Sequence, residues 1–120
     1  MSDRADHFRD LTQSVSAGLA TWRASTPDVM KNFHDLGRSA TSDGVLDRKT
    51  KELIALAPSV ASRCDPYIGS HMQTLVKLGV TRQEIDETLG VTTCMGGGPS
   101  LMYAANAIAA FNEFSRAPAA

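Results

Sequence analysis

The stretch that decides the fold runs from residue 51 to residue 71, KELIALAPSVASRCDPYIGSH, and reads as two consecutive helices joined by a tight break. Leu53, Leu56, Ala57 and Val60 recur at helical spacing and form one apolar face, with Glu52 on its shoulder. A carboxylate in that position is partly withdrawn from water, the setting in which a side chain can serve as a general base. Asp65-Pro66 is a helix-start signal, because aspartate accepts a bond from an orphan amide and proline has no amide to leave unpaired. Cys64 then sits at the mouth of the second helix, where the positive end of the dipole favours negative charge on the sulfur. Tyr67 and His71 follow three and seven residues later, so a helix would stack all three on roughly one side. Seven residues span about 10 Å, so Cys64 and His71 cannot touch, and Tyr67 is the residue placed between them.

The order of these residues carries a resemblance. Glu52, Cys64 and His71, within E-L-I-A-L-A and followed by G-V-T-R-Q-E-I and M-G-G-G-P-S-L-M-Y-A, resemble the carboxymuconolactone decarboxylase family, including its alkylhydroperoxidase D-like members. The match covers about residues 27–114. It implies an all-α fold of about six helices, a helical bundle in which an antiparallel helix pair forms the site. In redox members of the family a glutamate and a histidine relay protons to a Cys-x-x-Cys dithiol. Carried over by position, Glu52 is the glutamate, Cys64 the first cysteine and His71 the histidine, while Tyr67 occupies the second cysteine position and cannot form the disulfide. The resemblance also implies homo-oligomers, trimers or hexamers, with pockets near subunit contacts.

Working outward, 120 residues with 42% hydrophobic content fit one domain over residues 1–120. The net charge of -1 and the scattered Lys and Arg give no basic stripe for nucleic acid or an anionic membrane. No apolar run reaches the length of a membrane span. Two cysteines without framework spacing, and a charged start, MSDRADHFRD, place the chain in a reducing cytoplasm.

Phe8, Leu11, Val15, Leu19 and Trp22 predict an amphipathic helix over residues 3–24. Thr26 and Pro27 open the next helix, with Met30, Phe33 and Leu36 as its core stripe. His34 within it could line the pocket, but a lone helical histidine is read rather as a surface or packing residue, and His7 likewise. Asp47 caps a third helix, in which Pro58 should introduce a kink or an early end. The fourth packs through Ile68, Met72, Leu75 and Val76 and stops at Gly79. Thr81 to Glu84 form a capping box for the fifth, with Ile85 and Leu89 buried. Gly96, Gly97 and Gly98 mark a close-packed break before a last, alanine-rich helix ending near Phe114. The tail over residues 117–120 is expected to fray.

Two chemistries fit. In the first, Cys64 reduces a peroxide while Glu52, Tyr67 and His71 move the proton, and Cys94 or an external thiol reductant resolves the sulfenic acid. Cys94 is otherwise a small buried hydrophobe. In the second, Glu52 and His71 act as base and acid on a small organic acid or lactone, by decarboxylation or isomerisation. A third possibility keeps the scaffold without catalysis. Leu56, Ile68 and Met95 are expected to line the pocket. No cofactor is implied, and Glu52, Cys64 and His71 lack the close ligand pair of a zinc site.

Overall fold

The computed structural model describes residues 6–116 and consists of six helices without a strand among them. They are α1 (His7–Ser25), α2 (Pro27–Thr41), α3 (Arg48–Ala61), α4 (Asp65–Lys77), α5 (Arg82–Gly96) and α6 (Gly98–Ser115). Residues 3–5 of the expected first helix and the tail over 117–120 lie outside the described residues.

α4 is the centre of the molecule, with α3, α6 and α1 packed around it, and α5 closes the bundle against α3 and α6. Ile68, Met72 and Leu75 of α4 meet Leu56 and Val60 of α3, Ile85 and Leu89 of α5, and Ala107, Ala110 and Phe114 of α6 in one buried cluster. The break between α3 and α4 is only three residues long, with Arg63 in the left-handed region at φ 57°, so the two helices return antiparallel.

Local signals place most boundaries. Asp47 accepts the amide of Thr50 at 2.8 Å and starts α3. Thr81 and Glu84 form both arms of the capping box of α5, and Gly79 takes a positive φ of 80° after α4. Lys49 Nζ lies 2.9 Å from Glu84 Oε2, tying α3 to α5. That bond, with the Thr81 amide, holds the Glu84 carboxyl below the usual carboxylate range.

Three local expectations are corrected. Thr26 does not cap α2: its hydroxyl donates to Trp22 O at 2.9 Å and closes α1 instead. Asp65 is already inside α4 and accepts from Asn106 Nδ2 at 3.0 Å, leaving Cys64 as the N-cap residue without a side-chain cap bond. Pro58 does not end α3, which continues to Ala61. Proline so close to a helix end loses one hydrogen bond and little else.

The largest correction concerns α2. Its expected core stripe is exposed, Phe33 by 62% and Leu36 by 64%, and α2 buries no residue. Among the described residues it packs mainly on α1 and, more weakly, on α3. α1 is anchored chiefly at its start, where Phe8 is buried and the Phe8 and Arg9 amides donate to Glu113 of α6 at 2.9 and 2.7 Å.

The glycine break is tight, as the sequence implies. A β-carbon on Gly96 would collide with the buried Ser100 side chain, whose own Cβ would lie 2.9 Å away. Gly96→Ala is therefore expected to destabilise the chain by about 1–3 kcal/mol. Thermal melts of the two proteins check this, and an unchanged midpoint would contradict it.

Candidate functional site

The antiparallel return of α4 along α3 brings Glu52, in the second turn of α3, to His71 in the middle of α4. His71 Nδ1 lies 2.7 Å from Glu52 Oε2. Glu52 is 5% exposed and His71 partly buried, so the pair is largely withdrawn from solvent. With Glu52 ionised, a carboxylate can only accept, so Nδ1 carries the proton and donates it. The lone pair on Nε2 is then left for an external proton. Tyr67, one turn earlier, stacks on the imidazole with ring centroids 5.5 Å apart and planes 16° apart, which limits the orientations open to His71.

Glu52, Tyr67 and His71 share one wall of a cavity of about 850 Å³. α1 and α2 supply the other walls, through Leu19 and Arg23 and through Met30, Phe33, His34 and Arg38 among others. The surface is largely apolar, with the polar groups gathered on a few side chains. This is the form of a small-molecule site.

The other expected site residues fall elsewhere. Cys64 is partly buried at the start of α4 and does not line this cavity. Its backbone angles, φ -111° and ψ 88°, are not helical, so its side chain leaves the column that a helical wheel assigns to it. Cys94 is exposed, not a buried hydrophobe, and the two thiols are unlinked. Leu56 and Ile68 are completely buried in the core, one layer behind the wall. Met95 is 82% exposed and lines a separate groove of about 260 Å³ between α3 and α5.

Sequence reasoning weighed a pocket role for His34 and set it aside, and it missed Arg23 and Arg38. Met30, His34, Gly37, Arg38 and Thr41 are the residues of α2 spaced at threes and fours that face the cavity. The signal was present in that spacing but was masked by the apolar stripe of Met30, Phe33 and Leu36, of which only Leu36 lies off the cavity wall. Among the described residues, no three His, Cys, Asp or Glu side chains form a group that could hold a metal ion. None of the helices described is long and apolar enough to cross a membrane.

Comparison with known proteins adds four findings. The model of the carboxymuconolactone decarboxylase family matches residues 27–110. The crystal structure of an apo carboxymuconolactone decarboxylase family protein from Legionella pneumophila superposes with a TM-score of 0.90 at 54% identity, covering 92% of this chain and 99% of that one. An uncharacterised protein of Cupriavidus necator is 38% identical over 89 residues, 74% of this chain and 79% of its own length. An uncharacterised protein from the cox locus of Paracoccus denitrificans is 29% identical over 103 residues, 86% of this chain and 93% of its own.

Proposed function

This chain belongs to the carboxymuconolactone decarboxylase family, and on that footing we propose that it is a proton-transfer enzyme that decarboxylates or isomerises a small carbonyl-bearing molecule. The observation that carries this reading is the 2.7 Å bond between a buried carboxylate and an imidazole on a cavity wall. His71 Nε2 takes a proton from carbon next to the substrate carbonyl, or returns one to it after carbon dioxide has left. Glu52 holds the neutral ring in the Nδ1–H tautomer and offsets the positive charge when Nε2 is protonated. Positioned general acid–base groups of this kind contribute about 10²- to 10⁴-fold in rate.

Thiol-dependent peroxide reduction, placed first on sequence grounds, is the second reading. Its support is Cys64 at a helix N-terminus, partly buried but not closed off from solvent. There the sulfur would take one peroxide oxygen and become a sulfenic acid, while the alkoxide leaving group picks up a proton. That proton would have to come from a cavity Cys64 does not line, which is why this reading ranks lower. The two separate on treatment with one equivalent of tert-butyl hydroperoxide followed by mass spectrometry. The proton-transfer reading expects Cys64 to remain a thiol and dithiothreitol to drive no peroxide consumption. Sulfenic acid on Cys64, with catalytic consumption, would give the site to sulfur.

Self-association belongs to the same proposal. The chain exposes 7840 Å², where a compact monomer of 12.8 kDa exposes about 6300 Å². Its radius of gyration is 14.9 Å, against about 13.5 Å for a compact chain of this length. The surface excess, about 1500 Å², exceeds the roughly 800 Å² that each partner gives to a stable interface. A second copy is the occupant we assign to the outer face of α2, where Val29 and Leu36 lie open. Light scattering after size exclusion is expected to give a multiple of 12.8 kDa, lowered by Val29→Glu with Leu36→Glu. A monomer at micromolar concentration would contradict it.

A further inference from the structure

Removal of a proton from carbon beside a carbonyl drives negative charge onto the carbonyl oxygen, and a donor must meet that charge as it grows. Glu52 and His71 serve the carbon end of the movement and leave the oxygen without a partner. Apart from that pair, the side chains on the cavity wall able to donate are Arg23, Lys31, His34, Arg38, Thr41 and Tyr67.

Most of these are engaged or badly placed. Thr41 gives its hydroxyl hydrogen to Gly37 O at 2.7 Å, and Lys31 is matched by Asp35 at 2.7 Å. Arg23 and Arg38 stand in the last turns of α1 and α2, towards opposite ends of α2. Tyr67 stacks on His71 from one turn away on the same helix, so it lies beside the imidazole rather than across from it. His34 differs on each count. It stands at the midpoint of the 15 residues of α2, on a wall that α3 and α4 do not supply. Its side chain is exposed and makes no hydrogen bond, ion pair or ring contact with another described residue.

The next turn of the same stripe leaves space for a ligand. Gly37 also lines the cavity, and nothing lies within 4 Å of where a β-carbon on it would stand. Glycine inside a helix costs about 1 kcal/mol against alanine, and no packing contact here calls for it. Its effect is to leave room beside the His34 imidazole.

We propose that His34 is a second catalytic histidine, the donor that meets the substrate carbonyl oxygen across the cavity from His71. The inference rests on the proton-transfer reading and adds the group that reading lacks. In the step so assigned, the C–H bond breaks and its proton passes to His71 Nε2. The bonding pair becomes the second bond between the two carbons, and the carbonyl π pair moves onto oxygen, which accepts from a His34 N–H. No proton leaves His34, and the reverse movement returns the proton from Nε2 to carbon. An imidazole carries at least one N–H whether neutral or protonated, so the role does not depend on how His34 titrates.

A carbonyl stretch falls in frequency when its oxygen accepts a hydrogen bond, so infrared difference spectra of the full chain with 4-oxopentanoate, carbon-13 labelled at the ketone, test this. The bound ketone band is expected to lie lower in the parent than in His34→Leu, to return most of the way in His34→Gln, which keeps a donor, and to be unmoved by Tyr67→Phe. His34→Leu should also slow deuterium uptake by about tenfold or more, in kcat rather than KM, with an unchanged thermal melt. A donor closed off from water is worth about 10² to 10³ in rate, and the exposure of His34 lowers that. His71→Asn should remove most of the uptake yet keep the lowered band. Failure of the proton-transfer reading would therefore appear as a polarised carbonyl without exchange in the parent, and failure of this inference as exchange that needs His71 but not His34. The same band in the parent and His34→Leu, a band moved by Tyr67→Phe instead, no bound ketone band in the parent, or parental exchange in His34→Leu would overturn the proposal.

Discussion

His71→Asn is expected to reduce turnover by about two to four orders of magnitude while leaving the melting temperature close to that of the parent. The asparagine amide keeps a donor near the place of Nδ1, so the buried Glu52 carboxylate, 5% exposed, does not lose its hydrogen-bond partner. The lone pair of Nε2, however, has no equivalent. His71→Ala would confound the measurement, because a buried acceptor left unpaired costs about 1–3 kcal/mol of stability. Glu52→Gln is the complementary change: the amide oxygen still accepts from Nδ1–H, but no charge offsets the imidazolium. Its loss should fall in turnover. A suitable assay is deuterium uptake at the carbon next to the carbonyl of 4-oxopentanoate, followed by proton NMR. Exchange at the parental rate in His71→Asn would remove the imidazole from the chemistry.

The second large effect is on stability. Glu113→Ala removes the acceptor of two first-turn amides of α1, Phe8 N and Arg9 N, and Asp6 supplies no side-chain cap in its place. Two charge-assisted bonds to a carboxylate 4% exposed make the expected cost about 2–4 kcal/mol. For a domain of this size that lowers the melting midpoint by roughly 10 °C or more, compared at equal protein concentration. Glu113→Gln, which keeps one acceptor oxygen, should lose about half as much. Amide hydrogen exchange locates the effect: Phe8 and Arg9 should lose protection first, with the α3–α4 pair unaffected. Uniform loss across all helices, or none at Phe8, would show that α1 is held some other way.

What could be read from the sequence follows the range of the interactions involved. Asp47, the Thr81–Glu84 box and Gly79 act within a few residues, and each stands where local chemistry places it. The family resemblance is borne out, and so is the all-α bundle of six helices. Glu113 holds α1 from 105 residues away, and nothing local in the alanine-rich last helix marks that carboxylate as a cap. α2 was misread because an apolar stripe identifies a face that needs covering without identifying what covers it, and among the described residues none buries it. Cys64 was placed on a helical column that begins one residue too late to include it. The polar spacing of His34 and Arg38, set aside in favour of Phe33 and Leu36, contributes to the cavity wall.

The most direct measurement is the 4-oxopentanoate exchange rate in a chain carrying Cys64→Ser and Cys94→Ser, compared with the same chain further changed at His71→Asn. The expected result is near-parental exchange without cysteine and a loss of about 10²-fold or more when the imidazole is also removed. If exchange disappears with the thiols, or persists unchanged without His71, the Glu52–His71 pair is not where the chemistry takes place.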